Sequence, residues 1–310
     1  MIKVFVDGAA GTTGLEIRER LTGRRDVELL VLPEDRRKDA SARRDALNQA
    51  DIVILCLPDD AAREAVSLID NDTTRVIDAS TAYRTDPTWT YGFPELEAGA
   101  REAVAAAKRI SNPGCYPTGF LALVRPLVRT GLLPADTRLS VSAVSGYSGG
   151  GKSLIARFED ASLTDATPTA FHAYGLTLGH KHVPEMQHHA GLAHPPIFMP
   201  SVARTYRGML VEVPIHLDLA RGRIAQLREA LTEAYRHSAV VTVSQDHHGD
   251  LPIERQANTD RLELFVFGSD DFGQARLVAA LDNLGKGAAG AAVQNLNLAA
   301  GLPEAAGLRL

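Results

Sequence analysis

The 310-residue chain predicts an α/β protein built in two parts. Three observations predict it. A β-branched run at residues 2–6 leads into a glycine-rich turn and then a helical pattern. Residues 51–57, Asp-Ile-Val-Ile-Leu-Cys-Leu, form a continuous apolar run of the kind found in a parallel strand buried on both faces. The second half carries half-buried alternating strands at residues 209–216 and 262–267, with an amphipathic helix at 224–235 between them. That half reads as a mixed α/β unit with an antiparallel sheet. Length agrees with two parts, since single cores stop growing near about 250–300 residues.

Composition is that of an ordinary globular protein: 45% hydrophobic, 23% charged, formal net charge −5. This charge gives no support to nucleic-acid binding, which needs a basic patch or a high pI. No apolar run approaches the roughly 18–20 residues that span a bilayer, so no membrane partner is expected. The start at Met1 enters a strand directly, without a signal-peptide layout. Two cysteines, Cys56 and Cys115, make no disulfide framework, and a reducing cytoplasmic setting is the expectation.

In chain order, the turn after the first strand is Asp7-Gly-Ala-Ala-Gly-Thr-Thr-Gly14, followed by Leu15, Ile17 and Leu21 at helical spacing. Strand, glycine turn and helix together are the context of a dinucleotide-binding Rossmann unit. There the backbone approaches a pyrophosphate at a helix N-terminus. The glycines, Gly8, Gly11 and Gly14, depart from the usual G-x-G-x-x-G spacing. The second strand, 27–32, ends near Glu34, Asp35, Arg36, Arg37 and Lys38. The basic residues suit the 2′-phosphate of NADP, and the acidic ones leave NAD open. A helix is expected from Pro58, and a strand at 76–78 leads to Ser80, Thr81 and Arg84. Pro58, Ser80 and Thr81 at strand ends are candidates for the nicotinamide side. Arg84 is a candidate for an anionic substrate or a surface partner of Asp86. A further helix is expected at 96–108.

Cys115 follows the turn signal Pro113-Gly114 and precedes the apolar run 120–124, which reads as a helix. A cysteine in a first helical turn meets unpaired N–H groups and the positive end of the dipole, which favour the thiolate. A buried structural cysteine is the competing reading. Cys56, inside an apolar strand, reads as core. After a strand at 138–144, residues 145–152 read as a flexible glycine-rich loop. Gly146 to Ser153 match the letters of a phosphate loop, but not on a first strand and without a Walker-B carboxylate. Five histidines fall between His172 and His189. His180 and His182 lie just before a helix start at Val183-Pro184-Glu185, where one would serve as acid/base in a thiol mechanism. A zinc site needs more ligands than His180-x-His182 provides, and no metal is assigned. Residues 281–297 read as a small-residue helix.

These segments together resemble the short form of the N-acetyl-γ-glutamyl-phosphate reductases, in the semialdehyde dehydrogenase superfamily. The carriers are the Gly8–Gly14 turn, Cys56 to Asp60, Asp78 to Arg84, Ser111 to Gly119, Gly146 to Lys152, His180-Lys-His-Val-Pro-Glu185, and Lys286 to Asn295. Ala289 stands where the pattern has Ser. The resemblance implies a Rossmann NADP domain, residues 1–115 with 287–310, and an α+β substrate and oligomerisation domain, residues 116–286. It implies NADP held by Gly8, Gly11, Thr12, Thr13, Gly14, Arg36, Arg37, Pro58 and Ser80. It implies a small acyl-phosphate substrate near Arg84, Asn112, Ser148, Gly149 and Lys152, and a homodimer or homotetramer. The implied chemistry is reduction of the acyl phosphate to the semialdehyde. Cys115 forms a thioester, a hydride reduces it, His180 or His182 moves protons, and Glu185 orients the imidazole. Three alternatives stand beside it: a related semialdehyde dehydrogenase with another substrate, a nucleotide hydrolase, and a non-enzymatic NADP-binding redox sensor.

Overall fold

A computed structural model describes residues 1–37, 39–246 and 249–310; Lys38, weighed above for NADP, lies outside them. The chain forms two compact units. The first is Met1–Pro113 with Ala288–Leu308, and the second is Gly114–Gly287 with Arg309–Leu310.

In the first unit, strands β1 (Ile2–Asp7), β2 (Val27–Leu30), β3 (Ile52–Leu55), β4 (Arg75–Asp78), β5 (Thr90–Tyr91) and β6 (Arg109–Ser111) form one sheet in the order β2-β1-β3-β4-β6-β5. Every pairing is parallel. The helices are α1 (Thr12–Leu21), α2 (Ala40–Gln49), α3 (Asp59–Ser67), α4 (Ala100–Ala106) and, from the far end of the chain, α9 (Gly290–Ala299). Side chains alternate across a strand, and β1 shows the consequence. Val4 and Val6 pack with Ile17, Leu21, Val293 and Leu296 on one face, while Phe5 packs with Leu47, Val53 and Ala62 on the other. Both faces are covered, as an all-parallel sheet requires. Complete burial of a Leu or Val side chain contributes about 1.5–3 kcal/mol, so α9 is integral to this unit.

Helix α9 is fastened by amides as well as by apolar contact. Asn295 Nδ2 donates to the Gly92 carbonyl at 2.9 Å and to Asn112 Oδ1 at 3.0 Å. Gln294 Nε2 donates to Glu95 Oε1 at 2.7 Å. A Cβ on Gly92 would lie 2.4 Å from Asn295 Nδ2, so only glycine admits this approach.

In the second unit, β7 (Ser140–Gly146), β8 (Phe171–Ala173), β9 (Ile197–Ala203), β10 (Met209–His216), β11 (Val241–Val243), β12 (Leu262–Ser269) and β13 (Gln274–Leu281) form a sheet in the order β11-β12-β13-β10-β7-β9-β8. The expected antiparallel sheet is in fact mixed: β11 pairs parallel to β12, and β7 parallel to β9. Helices α5 (Cys115–Arg129), α6 (Gly151–Glu159), α7 (Val183–Ala190) and α8 (Ile224–Ala234) complete it. Helix α5 packs on β10 and β13, where a Cβ on Gly119 would come within 2.8 Å of Val211. Its residues 116–124 are all buried, which explains an apolar run without a polar stripe. The opposite face of the sheet carries Ser142, Ile197, Met199, Pro214 and Arg276, all exposed.

Several boundaries differ from expectation. Strand β2 stops at Leu30, two residues early, before Pro33. Helix α4 begins only at Ala100, because Gly99 precedes it at φ +80° and residues 93–98 turn. Residues 145–152 are not a flexible loop: β7 runs to Gly146, a 3₁₀ turn spans Tyr147–Gly150, and α6 follows. Residues 281–297 split into the end of β13, a π turn at Gly285–Ala289, and α9. Among the described residues no helix is long and apolar enough to cross a membrane.

Candidate active site

The first unit presents a cleft of about 860 Å³ at the C-terminal ends of β1 and β2, lined by Gly8, Ala9, Ala10, Leu32, Arg37 and Arg43 among others. It adjoins the point between β1 and β3 where the order of this open α/β sheet reverses, the usual place for a dinucleotide. Gly8 has φ +84°, and a Cβ there would stand 2.2 Å from the Cys56 carbonyl oxygen. A Cβ on Gly14 would meet the Gly8 carbonyl at 2.5 Å, so α1 starts directly against the turn. Gly11 caps α1 without a side-chain bond, and the Thr12 hydroxyl is buried with no partner among the described residues. An uncapped helix start, an orphaned hydroxyl and a cradle that only glycine permits all fit a bound pyrophosphate. Thr13 is half-buried in the same first turn.

The basic residues divide. Arg37 lines the cleft and pairs with Glu34. Arg36 is not among the lining residues; it lies 3.7 Å from Asp39, with its side chain 57% exposed. Arg43, which sequence reading passed over, also lines the cleft and donates to Asp7 Oδ2 at 2.9 Å. Its only sequence signal is a charge on the buried side of α2, which is silent until the fold is known.

Pro58 caps α3, and Asp59 at the start of that helix accepts from Thr81 N at 2.9 Å and Thr81 Oγ1 at 2.6 Å. Ser80 Oγ donates to Asp78 Oδ2 at 2.6 Å. Burial raises the Asp78 carboxyl to about 6, against the lowering effect of its bonds to Ser80. Cys56 lies just past β3 and packs on the core of this unit. Burial first, then the Asp78 and Asp7 carboxylates, push its thiol up to about 12. Such a thiol is inert at neutral pH.

Two expected substrate ligands also make contacts within this unit. Arg84 is buried, with Nε donating to the Asn112 carbonyl and Nη2 to the Ala79 carbonyl, each at 3.0 Å. The alternative partner, Asp86, instead takes the Thr88 hydroxyl at 2.6 Å. The Asn112 amide accepts from Asn295 and donates to the Ala288 carbonyl at 3.1 Å.

In the second unit Cys115 is the first residue of α5, after Gly114 as N-cap. The buried Glu185, in the first turn of α7, accepts from Gly114 N at 2.8 Å. A Cβ on Gly287 would lie 2.9 Å from the Cys115 Cβ, so the chain passes the cysteine as closely as glycine allows.

His182 caps α7 and is buried; His180 is half-buried. His182 N donates to His180 Nδ1 at 3.1 Å. The His180 ring packs edge-on to Tyr116, the residue after Cys115, with centroids 6.4 Å apart. Phe198 and Tyr174 face it at 5.0 and 5.8 Å. Tyr174 Oη donates to Tyr116 Oη at 3.1 Å, and Tyr116 Oη to the Ser201 carbonyl at 3.2 Å. Burial, then the Lys181 ammonium, lower the His180 pKa, which favours the neutral ring. Sequence reading missed this aromatic wall, because Tyr174 and Phe198 reach Tyr116 only through the sheet.

Ser148 is buried, and its hydroxyl accepts from Asn283 Nδ2 at 2.9 Å. Gly149 and Lys152 are exposed at the start of α6. The phosphate-loop letters follow β7, which pairs antiparallel with β10 in a mixed sheet, and not the first strand of a parallel one. Among the described residues no three His, Cys, Asp or Glu side chains are grouped to hold a metal ion.

Residues 3–106 match the family model of the semialdehyde dehydrogenase NAD binding domain, and residues 115–283 that of the semialdehyde dehydrogenase dimerisation domain. The chain is 53% identical over 306 residues to proteins of Brucella ovis and Brucella melitensis named N-acetyl-gamma-glutamyl-phosphate reductase, covering 96% of this chain and 99% of each relative. Among solved structures, aspartate semialdehyde dehydrogenase II from Vibrio cholerae aligns with a TM-score of 0.73 at 17% identity, over 96% of this chain and 98% of that one. The Francisella tularensis aspartate semialdehyde dehydrogenase aligns at 0.71 and 15% identity, over 96% and 99%. These two share the fold. With the cysteine at the head of α5, the glycine cradle and the full-length relatives in agreement, the chain belongs to the N-acetyl-γ-glutamyl-phosphate reductase family of the semialdehyde dehydrogenases.

Proposed function

We propose that this protein reduces N-acetyl-γ-glutamyl phosphate to N-acetylglutamate 5-semialdehyde with NADPH, releasing phosphate, as a step of arginine biosynthesis. The observation that carries the reading is Cys115 opening α5, in the same unit as the ring of His180. A helix start favours the Cys115 thiolate without a partner base. The thiolate attacks the acyl carbon, the bond to the phosphate oxygen breaks, and a thioester remains on Cys115. When bound, NADPH supplies the hydride that reduces this acyl group. Gly8, Gly11, Thr12, Thr13 and Gly14 hold its pyrophosphate, Arg37 its 2′-phosphate, and Pro58 and Ser80 shape the strand ends beyond. Glu185 holds the Gly114 turn, and with it the sulfur, in place. Gly149 and Lys152, exposed at the start of α6, are contacts for the departing phosphate, beside the expected substrate contacts Arg84, Asn112 and Ser148.

The match to a dimerisation domain supports a homo-oligomer. We assign a homodimer to the open face of the seven-stranded sheet, where Ile197 and Met199 are 50% and 45% exposed. Both cysteines are free thiols, in keeping with a reducing cytoplasm.

The test is phosphate-dependent reduction of NADP with a panel of semialdehydes. Turnover of N-acetylglutamate 5-semialdehyde, and not of aspartate semialdehyde, is expected. Turnover of another member alone reassigns the substrate, and NADP binding without any turnover favours the redox-sensor reading.

A further inference from the structure

We propose that Arg18 of α1 selects NADP over NAD, by donating to the 2′-phosphate of the cofactor beside Arg37. The inference rests on the NADP reading above and adds to it a residue that neither the glycine turn nor the end of β2 supplies.

Position carries the first part of the argument. Arg18 lines the cleft together with Ala9 and Ala10 of the glycine turn and with Leu29 near the end of β2. It follows Gly14 by four residues, so the two lie one above the other along α1. Helical side chains lean back toward the N-terminus of their helix. The Arg18 stem therefore rises over a residue that has no side chain to block it. A Cβ on Gly14 would stand 2.7 Å from the Ala9 Cα, so this face of α1 looks onto the turn. Ile17 and Leu21 take the core side of the helix, and Arg20 is already paired with Glu16 at 2.5 Å.

Charge carries the second part. Arg37 and Arg43 also line the cleft, but Glu34 holds the first and Asp7 the second. A paired guanidinium offers a further anion little net attraction, because its carboxylate repels what it draws in. Arg18 makes no ion pair and no side-chain hydrogen bond among the described residues. Asp35, the remaining lining carboxylate, is exposed and suits a ribose hydroxyl of NAD. A phosphate monoester carries about −1.5 to −2 charge at neutral pH. With the other lining arginines spent, Arg18 is the cation that offsets it. Its planar fork also matches two phosphate oxygens at once.

The apolar lining agrees with this placement. Leu30, Leu32 and Leu57 pack with the core on one face of the sheet, and Leu29 and Ala9 with the core on the other. The wall of Leu30, Leu32 and Leu57 suits the adenine ring. With the adenine there and the pyrophosphate at the start of α1, the ribose lies between them, on the side of Ala9, Ala10 and Arg18.

Calorimetric titration with NADPH, NADH and adenosine 2′,5′-bisphosphate tests this without substrate. Arg18→Ala should weaken NADPH and the bisphosphate about 10- to 100-fold, the scale of one charge-assisted bond. NADH, which lacks that phosphate, should change by less than about threefold. Arg25→Ala removes an exposed charge outside the lining and should leave all three ligands within about twofold. Equal weakening of NADPH and NADH by Arg18→Ala would put Arg18 on the pyrophosphate or in the fold and overturn the proposal. So would an unchanged NADPH affinity, or a wild type that binds NADH as tightly as NADPH. Loss of NADPH selectivity in Arg18→Ala, in a protein that turns over no acyl phosphate, would uphold this inference and sink the substrate reading alone.

Discussion

Glu185 Oε1 and Gly114 N are joined by a 2.8 Å hydrogen bond, so a carboxylate at the start of one helix holds the residue before the cysteine that starts another. Both residues are buried. Leaving a buried N–H without its acceptor costs about 1–3 kcal/mol. Glu185→Ala is expected to lose at least that in urea denaturation, together with turnover. Glu185→Gln, which keeps an acceptor, should recover most of the stability. Equal stability of the two variants would show that the carboxylate acts through its charge.

Gly287 tests how tightly the sulfur is placed. An alanine there would push on the Cys115 Cβ from 2.9 Å. Displacements near 1 Å at a reacting atom cost on the order of 100-fold in rate. Gly287→Ala should therefore fold, bind NADPH normally and lose about 100-fold in kcat. A rate within threefold of the wild type would show that Cys115 yields without consequence.

The two thiols should separate cleanly. Cys115→Ser is expected to abolish turnover and to leave NADPH binding intact, measured by fluorescence titration. Cys56, with its thiol pushed up to about 12, should resist iodoacetamide in the native protein at pH 8. Labelling of Cys56 at the rate of Cys115 would contradict that burial.

For the cofactor, Arg37 lines the cleft and Arg36 does not. Arg37→Ser should raise KM for NADPH about tenfold, the scale of one charge-assisted bond, and leave KM for NADH near its starting value. Arg36→Ser should change neither. A larger loss from Arg36 would move the 2′-phosphate out of this cleft.

Asp78 sets a pH dependence of stability. Its carboxyl is raised from 3.8 to about 6, mainly by burial. Below 3.8 both states hold the proton and the full stability is present. Above that the unfolded chain ionises first, and stability is lost as pH rises through about 6. The whole loss is about 3 kcal/mol. Asp78→Asn keeps an acceptor for the Ser80 hydroxyl and cannot ionise. Urea midpoints should show the variant gaining on the wild type between about pH 4 and pH 8. Parallel pH profiles would mean that Asp78 titrates normally.

The sequence by itself determined what depends on neighbours a few residues apart. The strand, turn and helix from Ile2 to Leu21 are local, and so is the placement of Cys115 at a helix start, because glycines, proline and apolar spacing act within one or two turns. The helix start at Val183 was legible for the same reason, from Pro184 in its first turn. Only the tertiary structure decided which polar groups are already spent. Ser148 reads as a loop hydroxyl until Asn283, 135 residues away, is seen to bond it. The Asn112 amide meets Asn295 and the Ala288 carbonyl, contacts that no local pattern shows. Glu185 lies close to His180 along the chain and yet bonds Gly114, 71 residues distant. Buried polar groups must find partners wherever the fold brings them. Which residues remain to meet a substrate is therefore set by contacts that no local pattern encodes.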